Sequence, residues 1–211
     1  MKPIQELSFT EAAGLSYVLT DIDDTLTYKG QLEREAYNAL WDLHDQGIGV
    51  IPVTGRPAGW CDMIARQWPV IGVVGENGAF AFYLSGEKLQ HLYHPSVERE
   101  DFRRKFDRIK ERVFKEVPGT RIAKDQFARI FDLAIDFREE PPELDLKAAE
   151  KIKAICEDVG AQAKISSIHV NTWFGNYNKL EMAKIFMREV VDHDIDRNPG
   201  AVLFCGDSPN D

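Results

Sequence analysis

The chain has 211 residues, 44% hydrophobic and 29% charged, which is enough apolar material for a sizeable core and too much for a disordered chain. Asp and Glu number 35 against 26 Lys and Arg, a formal charge of −9. That balance argues against a nucleic-acid partner, which wants a basic surface. No apolar run approaches the ~20 residues of a membrane helix, and Met1–Ser8 lacks the apolar core of a signal peptide. Cys61, Cys156 and Cys205 lie far apart with no CxxC pair, a pattern of reducing compartments rather than of a disulfide framework. The expectation is a cytoplasmic acidic protein without a membrane or nucleic-acid partner, its oligomeric state left open.

In chain order, Tyr17-Val18-Leu19-Thr20-Asp21-Ile22 is a short apolar, β-branched run that reads as a buried strand. Leu32, Ala36, Ala39, Leu40 and Leu43 recur at helical spacing, and Gly47 stops that helix. Gly49-Val50-Ile51-Pro52-Val53 reads as a second buried strand ending at Thr54-Gly55-Arg56, with Pro57 opening a helix through Trp60, Ile64 and Ala65. Val70-Ile71-Gly72-Val73-Val74 reads as a third strand, followed by an Asn-Gly turn at Glu76-Asn77-Gly78. Short buried strands alternating with helices predict βαβ units and a parallel sheet.

After about Leu84 the texture changes. Ser96 to Val117 reads as a charged helix with Phe102, Phe106, Ile109 and Val113 along one stripe. Phe127, Arg129, Phe131, Leu133, Ile135 and Phe137 alternate as one face of a strand. A second amphipathic helix, about Asp145 to Val159, precedes strands near Gln162–Ser166 and Ile168–Trp173. A helix at Lys179–Val191 and a strand at Ala201–Cys205 then resume the α/β texture. The predicted organisation is an α/β core at 1–83 and 174–211, split by an inserted α+β module at 84–173.

The chemistry-bearing residues gather at predicted strand ends, where open α/β sheets bind ligands. Asp21 and Asp23, two apart on an extended chain, face the same side. Carboxylates this close repel unless a cation or proton sits between them; a solvated acidic turn is the bland alternative. Ser208 with Pro209 reads as a capped helix start that would carry Asp207 and Asp211 to the same sheet edge, or simply as a capped helix. Together these acids form an oxygen-rich set without His or Cys, the ligand chemistry of Mg²⁺. Thr54 and Gly55 offer a hydroxyl and a backbone N–H suited to a phosphate oxygen, or simply a turn. Lys179 begins a helix, where its charge opposes the dipole.

Asp21-x-Asp23-Asp24-Thr25, Thr54-Gly55-Arg56, Lys179 and Gly206-Asp207-Ser208-x-Asn210-Asp211 resemble, in order, the four motifs of the haloacid dehalogenase-like (HAD) hydrolases. Glu76-Asn77-Gly78-Ala79 is similar to the Cof-type, class IIB branch, which includes sugar-phosphate phosphatases. That branch places an α/β cap of the C2 type between the second and third motifs, so the resemblance implies a Rossmann-like parallel-sheet HAD core with an inserted cap. The family normally carries Gly where this chain has Asp24, and its core continues beyond the fourth motif; the expectation is therefore that the C-terminal part of the core is missing from this chain.

The resemblance implies a Mg²⁺-dependent phosphomonoester hydrolase acting on a small phosphorylated metabolite, a sugar phosphate by inheritance from the branch. Asp21 would be the nucleophile of an aspartyl-phosphate intermediate, Asp23 the general acid and then base, and Lys179 the neutralising cation. Thr54, Gly55, Arg56 and Asn210 would bind the substrate. Mg²⁺ would be held by Asp21, the Asp23 carbonyl, Asp207 and Asp211. In the cap, Arg121, Lys124, Arg129, His169, Asn171 and Trp173 are specificity candidates, with His169, Asn171 and Trp173 foremost on one face of the returning strand and Asn171 as a substrate contact. Satisfied strand residues or solvated basic residues are the bland alternative. A sugar phosphomutase on the same fold and a catalytically silent binding protein are the alternatives.

Overall fold

A computed structural model describes residues 6–97 and 102–207 of the chain, which forms two compact units. Within the described residues the first unit comprises 6–56, 60–94 and 178–207, and the second 57–59, 95–97 and 102–177.

The first unit begins with a short helix, α1 (Phe9–Ala13), started by a reciprocal Ser8–Glu11 capping box. Strand β1 (Tyr17–Thr20) leads through the small hairpin β2 (Thr27–Tyr28) and β3 (Gln31–Leu32) into α2 (Arg34–Asp45). Then come β4 (Gly49–Pro52), α3 (Ala58–Gln67), β5 (Val73–Gly75) and the antiparallel pair β6 (Phe80–Ser85) and β7 (Lys88–Tyr93). The second unit carries α4 (Phe102–Glu116), β8 (Arg121–Ile122), β9 (Asp132–Asp136), α5 (Leu146–Asp158), β10 (Gln162–Ile165) and β11 (His169–Trp173). The chain returns to the first unit with α6 (Lys179–Glu189) and β12 (Val202–Cys205).

β1 is the centre of a parallel sheet, with β12 on one side and β4 on the other; Thr20 stands opposite both Cys205 and Pro52. A parallel bridge from Val53 to Val74 carries the order on to β5, which pairs antiparallel with β6. Val18, Leu19, Val50 and Ile51 are all buried, so both faces are covered, as parallel strands require. On one face α6 lays Met182, Ala183, Phe186 and Met187 against Leu19, Ile51, Val53 and Val74. The chain leaves β1 for β4 on one side and comes back at β12 on the other. The carboxyl end of β1 is therefore the point where the crossovers diverge, the crevice in which open α/β sheets hold ligands.

The second unit is an antiparallel sheet ordered β10-β11-β9-β8. Leu133, Ile135 and Val170 of that sheet pack with Phe106, Ile109 and Val113 of α4 and Ile152 of α5 in one apolar cluster. Asp145 caps α5 by accepting from the Ala148 N–H at 2.9 Å.

Three elements differ from the sequence-based expectation. The alternation from Phe127 to Phe137 yields a strand only at Asp132–Asp136; Lys124–Ala128 is a 3₁₀ turn and Phe127 is 91% exposed. Arg129 turns inward there and bridges Asp125 and Asp132, and those ion pairs fold the segment back before the strand begins. The third strand starts at Val73 rather than Val70, because the Val70 N–H donates back to Trp68 in a turn. The β6–β7 hairpin, closed by a two-residue loop with Gly86 at φ +61°, carries the first unit past Leu84. Among the described residues no helix is long and apolar enough to cross a membrane.

Candidate active site at the end of β1

Asp21 is the first residue beyond β1, and its N–H continues the parallel ladder by donating to the Cys205 carbonyl at 2.9 Å. The Thr20 hydroxyl donates to the Asp21 carbonyl at 2.8 Å. With its backbone fixed on both sides, the carboxylate is 5% exposed and accepts from Lys179 Nζ at 2.7 Å. Lys179 is the first residue of α6, whose N-cap Asn178 accepts from the Glu181 N–H at 2.9 Å. A cation at a helix N-terminus is unfavourable; here the buried Asp21 carboxylate offsets that cost.

Asp23 takes a different cation. Arg56 Nε lies 3.1 and 2.9 Å from its two carboxylate oxygens and Nη2 lies 2.5 Å from Oδ1, a bidentate clamp. The guanidinium also stacks 4.4 Å over the Trp60 ring. Arg56, expected to bind substrate, is thus committed to the proposed acid. Between the two acids the chain closes on the Ile22 carbonyl, which accepts from the Leu26 and Thr27 N–H groups at 3.0 and 2.9 Å. Asp24 is exposed at φ +58°, the left-handed conformation that Gly adopts without strain. This accounts for the Gly that the resembled motif normally has at that position.

Thr54, at the end of the segment following β4, is fully buried. Its N–H donates to the Val74 carbonyl and its hydroxyl accepts from the Arg56 N–H at 3.1 Å. The Thr54 carbonyl accepts from the Asn77 N–H at 3.2 Å, so the Thr54–Gly55 loop and the Glu76–Gly78 turn are locked together. Asn77, read from the sequence as part of an Asn-Gly turn and of the Cof-like stretch Glu76–Ala79, was not among the expected site residues. At Gly78, with φ +103°, a Cβ would stand 2.2 Å from the Asn178 carbonyl oxygen and 2.9 Å from the Lys179 nitrogen. That glycine lets the turn sit directly against the start of α6.

Asp207 lies two residues beyond β12. Because Thr20 pairs with Cys205, Asp21 and Asp207 leave the sheet at the same edge. Asn210 and Asp211, with the expected cap at Ser208-Pro209, lie outside the described residues. The described oxygen donors at this edge, the Asp21 and Asp207 carboxylates and the Asp23 carbonyl, suit a hard cation such as Mg²⁺. Among the described residues no cluster of three or more Asp, Glu, His or Cys side chains is gathered.

In the second unit, most of the expected specificity residues are committed to neighbours. Arg121 reaches Asp136 at 3.3 Å and Lys124 reaches Glu140 at 2.5 Å. His169 pairs with Glu139 at 2.7 Å, and Arg129 bridges Asp125 and Asp132 as above. Asn171 and Trp173 differ. They share one face of β11, and Asn171 Oδ1 and Trp173 Nε1 are buried without a hydrogen-bond partner.

Residues 18–117 match the family model described as haloacid dehalogenase-like hydrolase. No curated protein matches the sequence. Among solved structures, a Thermoplasma acidophilum protein aligns at TM-score 0.71 and 18% identity, over 93% of this chain and 79% of that one. The C-terminal domain of C. albicans trehalose-6-phosphate phosphatase aligns at TM-score 0.68 and 18% identity, over 84% of this chain and 64% of that one. The sucrose-phosphatase of Synechocystis, solved with sucrose and phosphate, aligns at TM-score 0.60 and 16% identity, over 92% of this chain and 76% of that one.

Proposed function

We propose that the chain, which resembles the haloacid dehalogenase-like hydrolases in its fold and over residues 18–117, is a Mg²⁺-dependent phosphomonoester hydrolase acting on a small phosphorylated sugar through an aspartyl-phosphate. The observation that carries this reading is the buried Asp21–Lys179 pair at 2.7 Å, held where the crossovers of the sheet diverge.

In the first step a carboxylate oxygen of Asp21 forms a bond to phosphorus as the ester bond to the leaving oxygen breaks. Asp23, protonated on an oxygen that Arg56 has released, gives its proton to the leaving oxygen of the ester, so the product leaves as an alcohol. In the second step Asp23, now a carboxylate, takes a proton from water as the water oxygen bonds to phosphorus, and the bond to Asp21 breaks. Lys179 keeps a positive charge beside Asp21 throughout, favouring approach of an anionic substrate and stabilising the carboxylate as it leaves. Arg56 holds the Asp23 carboxylate in one orientation. Thr54 and Gly55 receive the phosphoryl oxygens. Mg²⁺ held by Asp21, the Asp23 carbonyl and Asp207 would draw off phosphoryl charge that otherwise repels the attacking carboxylate.

A sugar as the leaving group is supported by the trehalose-6-phosphate and sucrose-phosphate phosphatases that share the fold. The test is release of inorganic phosphate from a panel of sugar and glycerol phosphates with Mg²⁺ and with EDTA, with Asp21→Asn as blank. Metal-dependent release that Asp21→Asn abolishes is the expected result. Isomerised sugar phosphate without free phosphate would move the reading to a phosphomutase, and no conversion of any compound would contradict it.

A further inference from the structure

The Glu76–Gly78 turn holds a buried amide that the fold leaves unsatisfied. Asn77 is 8% exposed, and its side-chain nitrogen is buried with no hydrogen-bond partner. A buried donor without an acceptor is destabilising, and such groups call for an explanation beyond folding. The backbone is costly as well: Glu76 and Asn77 are consecutive non-glycine residues at φ +43° and +58°. Conformations of this kind persist where the surroundings over-determine them, and they concentrate at functional sites.

The surroundings here are the two loops already assigned to the site. The Asn77 N–H donates to the Thr54 carbonyl at 3.2 Å, and Gly78 abuts the Asn178–Lys179 backbone. The amide itself lies over Gly55: a Cβ on that glycine would stand 3.1 Å from Asn77 Oδ1 and 3.5 Å from Nδ2. Gly55 has no side chain to fill this space and is only partly buried. A half-turn about the Asn77 Cβ–Cγ bond exchanges oxygen and nitrogen, which brings the donor to the Gly55 side without moving the backbone.

We propose that the Asn77 side-chain amide is a phosphoryl-oxygen donor of this site, acting beside Gly55. The inference rests on the phosphohydrolase reading and adds to it a residue outside the four motifs. A neutral N–H fixed before the reaction stabilises charge on the non-bridging oxygens without adding a titratable group. It complements Lys179, whose charge is already shared with Asp21.

The test compares Asn77→Gly and Asn77→Asp with the parent, reading kcat/KM on an aryl phosphate, inhibition by inorganic phosphate, and melting temperature. Glycine suits the left-handed backbone, so Asn77→Gly is expected to melt at or above the parent's temperature. It should still lose about 10-fold or more in both kcat/KM and phosphate inhibition. Asn77→Asp keeps the shape but presents an anion to the phosphoryl group, and about 100-fold or more is expected to be lost. Parent-like phosphate inhibition and kcat/KM in Asn77→Gly would show that the turn acts only through its backbone and would overturn the inference while leaving the hydrolase reading intact. If either variant melts early, the other decides. A parent chain that neither hydrolyses phosphate esters nor binds phosphate would overturn both.

Discussion

Lys179 and Asp21 are 158 residues apart in the chain and 2.7 Å apart in the fold. The contact closes because two unrelated elements end at one point: β1 delivers Asp21 at its carboxyl end, and α6 delivers Lys179 at its amino end. Neither placement is favourable alone, since one buries a carboxylate and the other sets a cation against a helix dipole. Each charge offsets the cost of the other.

Removing one member should therefore be worse for stability than removing both. Lys179→Met leaves the Asp21 carboxylate buried and unpaired, with an expected loss of about 3 kcal/mol in urea unfolding. The double variant Asp21→Asn/Lys179→Met should regain most of that loss. Both should be inactive, which separates the pair's structural role from its chemical one.

Asp23→Asn tests proton delivery. If Asp23 protonates the leaving oxygen, its loss should depend on how much that oxygen needs a proton. A sugar phosphate, with a poor leaving group, should slow by about 1000-fold or more in the bond-breaking step. A nitrophenyl phosphate, which leaves as a stable anion, should slow by about 10-fold in the burst that precedes steady turnover. Equal losses on both substrates would assign Asp23 another role.

Arg56 clamps Asp23 rather than standing free for substrate. Arg56→Ala is accordingly expected to lower kcat by about 10-fold while inhibition by inorganic phosphate stays within about threefold. Arg56→Lys should recover little, because a single ammonium cannot reproduce the fork on the two carboxylate oxygens or the stacking on Trp60.

Gly78→Ala places a Cβ at 2.2 Å from the Asn178 carbonyl oxygen at φ +103°. A cost of at least about 2 kcal/mol in unfolding free energy is expected. Because the strain falls at the N-cap of the helix that carries Lys179, phosphate release should fall more steeply than the fraction of folded protein.

His94 gives the stability a pH dependence. Burial lowers its pKa from 6.5, and Glu181, 3.7 Å away, opposes the shift only in part. A depressed pKa means that near and below 6.5 the unfolded chain binds the proton more readily than the folded one. Stability is thus fully present above pH 6.5 and declines as the pH falls from there toward the lowered value. Urea unfolding measured from pH 7.5 down to pH 5 should show this decline, and His94→Gln should flatten the histidine's share of it.

Much of this site could be read before folding was considered. The three strands β1, β4 and β12 are continuous apolar runs, and the residues just beyond each run are the ones the fold brings to one edge. The register that sets Asp21 beside Asp207 follows from the order of those strands. What the sequence did not disclose is how the acids are partnered. Asp23 and Arg56 are 33 residues apart and meet through side-chain reach, which no local pattern encodes. The period-two pattern from Phe127 to Phe137 misled for a related reason, since two ion pairs at Arg129 override a good strand alternation. Asn77 was visible as a turn residue and as part of the Cof-like stretch Glu76–Ala79; its buried, unpartnered side-chain nitrogen emerges only from the fold.

The most direct measurement is to stop the reaction with acid early in turnover of a nitrophenyl phosphate and locate any covalently bound phosphoryl group by peptide mass spectrometry. The account predicts a phosphoryl group on Asp21, labile to hydroxylamine as an acyl phosphate is, and absent from Asp21→Asn. Steady phosphate release with no bound phosphoryl group, persisting in Asp21→Asn, would contradict it.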